Sequence, residues 1–461
     1  MTTQNNQSML IGGKVIDAGG FGCVLYPSIP CNNSNKVNKK YVTKLMLKEY
    51  AEEEYDKINK IHRILENIHN YQKYFLINNI YLCTPSHLSK DDLVLFDKKC
   101  KPLVKNKINR NNINQHLDKL YALNMPYGGT SLDSILEHGA LFSDIYLLNI
   151  HLIQLYQYGI IPMNNKHVCH GDLKASNILI LSESQKDPIV RMIDWGMAFT
   201  KSNTSHYNKY TSSFNFNIIF SVLLMRDDFV KKYNSLLDSN NTTAIQIYEI
   251  IFARINKEES GLKLLNMIFK ILFKDTSYYE KVLSTIPDKM KKHKYQYIVP
   301  FLLHYNYQIL KQFTYNQRFD ANKYFTEVMI YNLDVWGFIS CYSYLVLSYY
   351  NKVPVESYDL KIINAVRQLY MDILYYPTTK INHNVIINHL TDITNIYKEY
   401  SYNKNDVLYD HANKSSLPLS KTIVNTLNTT YTHKKHTSNS TIKQRHNRHR
   451  HRHTITLKKK N

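Results

Sequence analysis

His170-Gly171-Asp172-Leu173-Lys174-Ala175-Ser176-Asn177-Ile178-Leu179, followed shortly by Met192-Ile193-Asp194-Trp195-Gly196, is the stretch on which the reading of this 461-residue chain turns. Residues 178–181 and 189–193 are short apolar runs rich in β-branched residues, separated by the polar residues 182–188. They predict two strands joined by a hairpin, a geometry that returns Asp194 to the side of Asn177. Two carboxylates, a carboxamide and an ammonium then share one small region. Phosphoryl transfer from ATP asks for such a set: a carboxylate to position the attacking hydroxyl, an amide oxygen and a second carboxylate to hold a metal, and a cation for the developing charge. Asp172, Asn177, Asp194 and Lys174 supply those groups in that order.

Upstream, residues 11–27 read IGGKVIDAGGFGCVLYP. Gly19, Gly20 and Gly22 stand among β-formers, and a glycine-rich turn lets backbone N–H groups approach phosphate oxygens without Cβ obstruction. The strand-like run 41–47 (YVTKLML) carries Lys44 inside an apolar segment. A lysine there is costly unless its ammonium meets an anion. Residues 49–65 have helical periodicity and offer acidic residues on the face that also carries Ile58 and Ile61.

Together these motifs resemble the eukaryotic-type protein kinase family over residues 11 to about 350. The family's glycine-rich loop corresponds to Asp17-Ala18-Gly19-Gly20-Phe21-Gly22-Cys23-Val24, with Asp17 in place of the first glycine. Its strand-three lysine looks like Lys44, and its partner glutamate is most like Glu54, with Glu53 as the fallback. The hinge resembles residues 123–129, with Met125 in the gatekeeper place and Gly128 keeping its N–H beyond Pro126. Leu333-Asp334-Val335-Trp336-Gly337 looks like the start of the buried helix whose aspartate holds the catalytic-loop backbone.

The resemblance implies an α+β, two-lobed fold: a β-rich lobe over 11–127, after a flexible 1–10, and a helical lobe over 128–400. It implies a Ser/Thr protein kinase with ATP and Mg²⁺ as cofactors and protein hydroxyls as substrates. Asp172, Lys174 and Lys44 are then the catalytic residues. ATP would be contacted by Ile16, Asp17, Ala18, Gly19, Gly20, Phe21, Gly22, Cys23, Val24, Val42, Lys44, Glu54, Met125, Gly128 and Leu179, and the metal held by Asn177 and Asp194.

Three departures matter. Gly171 replaces the arginine of the family's His-Arg-Asp, so a cation that would pair with an activation-loop phosphate is missing. Residues 207–220 (YNKYTSSFNFNIIF) stand where an Ala-Pro-Glu would be, a pattern that looks like the divergent kinases of large cytoplasmic DNA viruses. Asp194 and Asp334 are 140 residues apart, which calls for a large helical insertion near 225–320. Two other readings share the motifs: a small-molecule kinase of the antibiotic- or choline-phosphorylating type, against which Lys174 argues, and a catalytically idle fold serving as a nucleic-acid or virion binding protein.

Composition bounds the rest. With 44% hydrophobic and 12% aromatic residues the chain has enough apolar surface to build a core. Asn, Ile, Lys and Tyr are over-used, and their AT-rich codons account for part of that bias. Of the net charge of +21, residues 411–461 carry +12, from eight lysines and four arginines with no acid. That basic, His/Lys/Arg-rich stretch (401–461 as a unit) has no periodic apolar face and reads as a disordered tail, able to neutralise phosphates of nucleic acid without sequence preference, or merely to solubilise. The six cysteines form no C-x-x-C pair, which suits a reducing compartment better than a disulfide or zinc framework. No secretion signal is apparent at the N-terminus. The apolar run 335–350 is shorter than the ~20 residues a membrane span needs and reads as a buried helix, so the expectation is a soluble intracellular protein without a membrane span.

Overall fold

A computed structural model of the chain describes residues 13–32, 38–137, 142–182, 188–200, 214–239, 241–350 and 357–403. The described residues up to 400 fall in a first compact unit, and the division to a second unit comes at residue 401. Residues 401–403 of the expected tail continue a helix, while the rest of it, with the Lys/Arg-rich residues 411–461, and the flexible 1–10 lie outside the described residues.

The first unit is mixed α/β, opening on an antiparallel sheet. Its strands are β1 (Lys14–Ala18), β2 (Gly22–Tyr26), β3 (Tyr41–Leu47), β4 (Tyr81–Cys83) and β5 (Leu120–Pro126). The order is β1-β2-β3-β5-β4, with antiparallel pairing throughout. Alternation along β3 explains why the strand is buried on both faces: Lys44 and Met46 point one way, Thr43 and Leu45 the other. On the Met46 face lies α1 (Lys48–Leu65), whose Ala51, Glu54, Ile58, Ile61 and Leu65 recur at helical spacing and are buried.

The other face is covered by residues 84–119, which sequence reading leaves as part of a sheet with a single helix. These residues contain α2 (Phe96–Lys99) and α3 (Lys101–Lys105) and bury Leu88, Leu93, Phe96, Leu103, Ile108 and Ile113 against Val15, Leu25, Leu45 and Ala122. Their apolar positions follow neither a 3.6 nor a 2 period and are scattered among lysines and asparagines, so no periodic signal announces this cap. Two disulfides fasten it and the neighbouring loop. Cys23 of β2 is bonded to Cys100 in the cap, and Cys31 to Cys83 of β4. This corrects the expectation drawn from cysteine spacing: the partners are 77 and 52 residues apart and meet only through the tertiary fold. The other two cysteines, Cys169 and Cys341, are free and buried, and the inference to a reducing compartment loses its basis.

After β5 the chain turns into β6 (Thr130–Ser131), α4 (Leu132–Glu137) and α5 (Phe142–Gln154), then a π turn and α6 (Ile161–Asn165). A pair of small sheets comes next. β7 (Val168–Cys169) pairs with β10 (Phe199–Thr200), while β8 (Ile178–Leu181) lies between β6 and β9 (Ile189–Met192).

The remainder is helical: α7 (Asp227–Leu237), α8 (Ala244–Ile255), α9 (Glu259–Phe273), α10 (Ser277–Ser284), α11 (Asp288–Lys291) and α12 (Val299–Phe313). The starts are encoded locally, as where Thr243 and Gln246 form a reciprocal capping box at α8. A small hairpin of β11 (Thr314–Tyr315) and β12 (Arg318–Phe319) precedes α13 (Ala321–Tyr324), α14 (Ile330–Ser340), α15 (Ser343–Tyr350), α16 (Ser357–Tyr375) and α17 (His383–Asn403).

The apolar run expected as one helix over 335–350 is two, broken at Cys341–Tyr342. α14 is apolar on every side and buried almost throughout, as a helix at the centre of a large core must be. No helix among the described residues is long and apolar enough to cross a membrane.

Candidate functional site

The hairpin of β8 and β9 is the local device that assembles the site. Ile178 pairs with Met192, and the N–H of Ile193 donates to the carbonyl of Asn177 at 3.0 Å. Asp194 therefore emerges beside Asn177. Its φ of +63° lies in the left-handed region, sparsely populated by non-glycine residues but tolerated by aspartate. Trp195 then turns inward, packing edge-on against Phe75 at 5.6 Å between ring centroids and tilted against His170 at 4.9 Å. His170 Nε2 donates to the carbonyl of Ile193 at 2.7 Å, leaving Nδ1 to accept the N–H of Asp172 at 3.4 Å.

Asp172 is held through both carboxylate oxygens. Oδ2 receives Lys174 Nζ at 2.7 Å and Asn177 Nδ2 at 3.4 Å, while Oδ1 receives Asn217 Nδ2 at 2.9 Å. Asn177 Nδ2 donates also to the Asp172 carbonyl at 2.7 Å, which leaves the Asn177 side-chain oxygen turned away from these acceptors. The backbone of the loop is anchored from α14. Buried Asp334 accepts the N–H groups of His170 at 2.9 Å and Gly171 at 3.0 Å.

From the sheet, Lys44 reaches Glu54 through two bonds of 2.7 and 2.8 Å and Asp194 at 3.4 Å. Glu54, not Glu53, is the partner: Glu53 is exposed and approaches Lys57 at 4.0 Å. Lys57 itself donates to the carbonyl of Gly196 at 2.6 Å and so ties α1 to the turn after Asp194. Burial alone would lower the affinity of Lys44 for its proton, but the carboxylates of Asp194 and Glu54 outweigh it and hold the ammonium above the ordinary lysine range. For Asp194, burial pulls upward, and the nearby Lys44, then His170 and Lys174, hold the carboxyl below the ordinary range.

The glycine-rich turn lies over this cluster. A Cβ on Gly19 would stand 3.9 Å from Lys44 Cε, and one on Gly20 would meet nothing within 4 Å. Asp17 Oδ1 accepts the N–H of Ala18 at 2.7 Å, and Ile16 and Phe21 are exposed, Phe21 at 5.0 Å from the Tyr50 ring. Val24 pairs with Lys44 across the strands, and Val42 pairs with Met125. Gly128 passes so close to Leu179 that a Cβ would come within 2.5 Å of its Cδ1.

Cys23 departs from the set. Its side chain belongs to the core on the cap side of the sheet and is bonded to Cys100. The pleat points residue 23 away from Lys44.

Sequence reading misses two contributors, Lys57 and Asn217. Lys57 sits at the i+3 position from Glu54, a spacing compatible with the same helix side, but an exposed-looking lysine among acids carries no signal of its own. Asn217 lies in the aromatic-rich segment 214–220, 45 residues from Asp172, and nothing local marks it. No protein-family model matches the chain, and no curated protein is similar enough to count as a relative.

Proposed function

We propose that this chain is an ATP-dependent protein kinase that transfers the γ-phosphate to serine or threonine hydroxyls, built as a two-lobed protein-kinase-like fold. The observation that carries the proposal is the convergence of Lys44, Glu54 and Asp194 under a glycine-rich turn, with Asp172, Lys174 and Asn177 on the adjoining loop.

The donor set suits the cofactor. Asn177 offers a side-chain oxygen and Asp194 a carboxylate 40% exposed, both hard oxygen ligands of the type Mg²⁺ takes alongside phosphates. ATP with Mg²⁺ would supply the transferable phosphoryl group and neutralise its charge. Lys44, held rigidly by Glu54, directs its ammonium toward the space beneath Gly19 and Gly20. Asp172 is placed to orient an incoming hydroxyl and accept its proton, and Lys174 puts positive charge beside it. Lys174 on Asp172 also favours a protein substrate over the small-molecule reading.

The basic residues 411–461 are proposed as a salt-sensitive nucleic-acid contact. A filter-binding titration across salt concentrations on the full chain and on the chain lacking them tests this: equal affinities at every salt overturn it.

The activity is tested by incubating purified protein with radiolabelled ATP and Mg²⁺, with casein-like and basic polypeptides as acceptors. Transfer is expected from the wild type. It should fall by about 100-fold or more in Lys44→Met and Asp172→Asn, with unchanged circular dichroism. An inert wild type, or a variant as active as the wild type at saturating ATP, overturns the assignment.

A further inference from the structure

Asn217 is 3% exposed, and its amide nitrogen faces two acceptors, Asp172 Oδ1 at 2.9 Å and the carbonyl of Leu173 at 3.3 Å. Rotating the amide would aim its oxygen at two oxygens, so this orientation is the only one that bonds. The three donors from Lys174, Asn177 and Asn217 then lock the Asp172 carboxylate against rotation about its own axis.

Asn217 is presented by residues 214–219, which are themselves latched from two sides. The N–H of Phe214 donates to Glu258 Oε2 at 3.1 Å, and the indole N–H of Trp336 donates to the carbonyl of Phe216 at 3.1 Å. Glu258 and Arg254 form a buried ion pair between α8 and α9. α9 packs so tightly here that a Cβ on Gly261 would come 2.5 Å from the carbonyl oxygen of Phe214.

We infer that Asn217 is a positioning residue for Asp172, and that the helical segment containing Arg254 and Glu258 acts as the latch that presents it. The inference rests on the phosphotransfer reading of the preceding subsection. It gives the helices between Asp194 and Asp334 a part in the site: they hold a strap whose asparagine aims the carboxylate that receives the hydroxyl proton. Asn217 acts through Asp172, not on the reacting atoms.

Steady-state kinetics with ATP and the best acceptor of the radiolabel assay test this on the full chain. Asn217→Leu keeps the volume and removes the donor. Asn217→Asp keeps the shape and sets two carboxylates face to face, and Asn217→Ser restores a donor on a shorter side chain. The expected result is a kcat lower by about 30-fold in the Leu and Asp variants, an unchanged KM for ATP, and partial recovery with Ser.

Melting temperatures identify any variant that fails to fold, and the Asp and Ser pair then carries the comparison. Leu or Asp variants within twofold of wild-type kcat overturn the positioning role alone. So does a loss expressed only in KM for ATP, or an equal loss in Ser and Leu. A wild type that transfers no phosphate overturns the functional reading itself, and the inference with it.

Discussion

The carboxylate of Asp334 accepts the backbone N–H of Gly171 at 3.0 Å across 163 residues of sequence. Its second oxygen takes the N–H of His170. Burial pushes the Asp334 carboxyl up, and the nearby His170 and then these two backbone bonds oppose that push. Gly171 has a φ of +81°, a conformation glycine adopts without strain.

Asp334→Asn offers one acceptor where two are needed and turns an NH₂ toward a backbone N–H. A destabilisation of about 1–3 kcal/mol is expected, with kcat reduced more than KM because the loop bearing Asp172 loses its anchor. Chemical denaturation and kinetics check both parts, and wild-type values for both would show that Asp334 does not anchor the loop.

The ion cluster sets a pH window. Asp194 is held below its ordinary range, so its contribution to stability is present above the unfolded carboxylate value of about 4 and fades as pH falls through the lower folded value. Lys44 is held above its ordinary range, so its contribution is complete below about 10.4 and fades as pH rises through the higher folded value. Burial, and then Asp194, raise the Glu54 carboxyl in the same cluster, so the melting-temperature gap between wild type and Asp194→Asn is expected to shift as Glu54 titrates and to close below about pH 4. A gap that widens toward acid contradicts the assigned ion pairs.

The two disulfides bind the cap and the loop after β2 to the sheet. In the chain-entropy view, closing loops of 77 and 52 residues is each worth about 4 kcal/mol, less for the pair together because one loop lies inside the other. Reduction should lower the melting temperature by about 5 °C or more. It should also raise proteolytic cleavage within 84–119, the residues whose packing Cys100 secures. Identical melting curves with and without reductant would show that neither bond contributes.

The range of each contact decides how much of it is legible in the sequence. Asp172, Asn177 and Asp194 flank one short hairpin, so their proximity follows from two apolar runs and a polar turn. Glu54 is readable from its register with Ile58 and Ile61, since a helix that buries those two must turn the glutamate toward the same side. The cap, the disulfides and Asn217 are not. Each depends on residues tens of positions apart meeting on a surface that exists only after folding, and their apolar or polar types fit unremarkable loops equally well. Cys23 shows the same limit in miniature: its place in the glycine-rich motif is legible, but the side of the pleat it occupies is set by Leu45, Phe96 and Cys100.

In the proposed kinase, control of the site is expected to turn on Gly171. A kinase with a cation beside its catalytic aspartate waits for a loop phosphate to pair with it. Here that place is a glycine, and the segment's hydroxyls Ser202, Thr204, Ser205, Thr211, Ser212 and Ser213, with Lys201 and Lys209, lie outside the described residues. What the structure does place is the segment's return at Phe214, Phe216 and Asn217, held by Glu258, Trp336 and Asp172. Every one of those partners is a side chain present as synthesised. Because Gly171 removes the cation that would pair with a loop phosphate, the proposed kinase is expected to need no prior phosphorylation. Phosphatase treatment followed by a peptide assay should leave kcat within about twofold of the untreated enzyme, whereas a large loss restored by preincubation with ATP would mean that a phosphate and a basic partner elsewhere do the work assigned here to the Arg254–Glu258 latch.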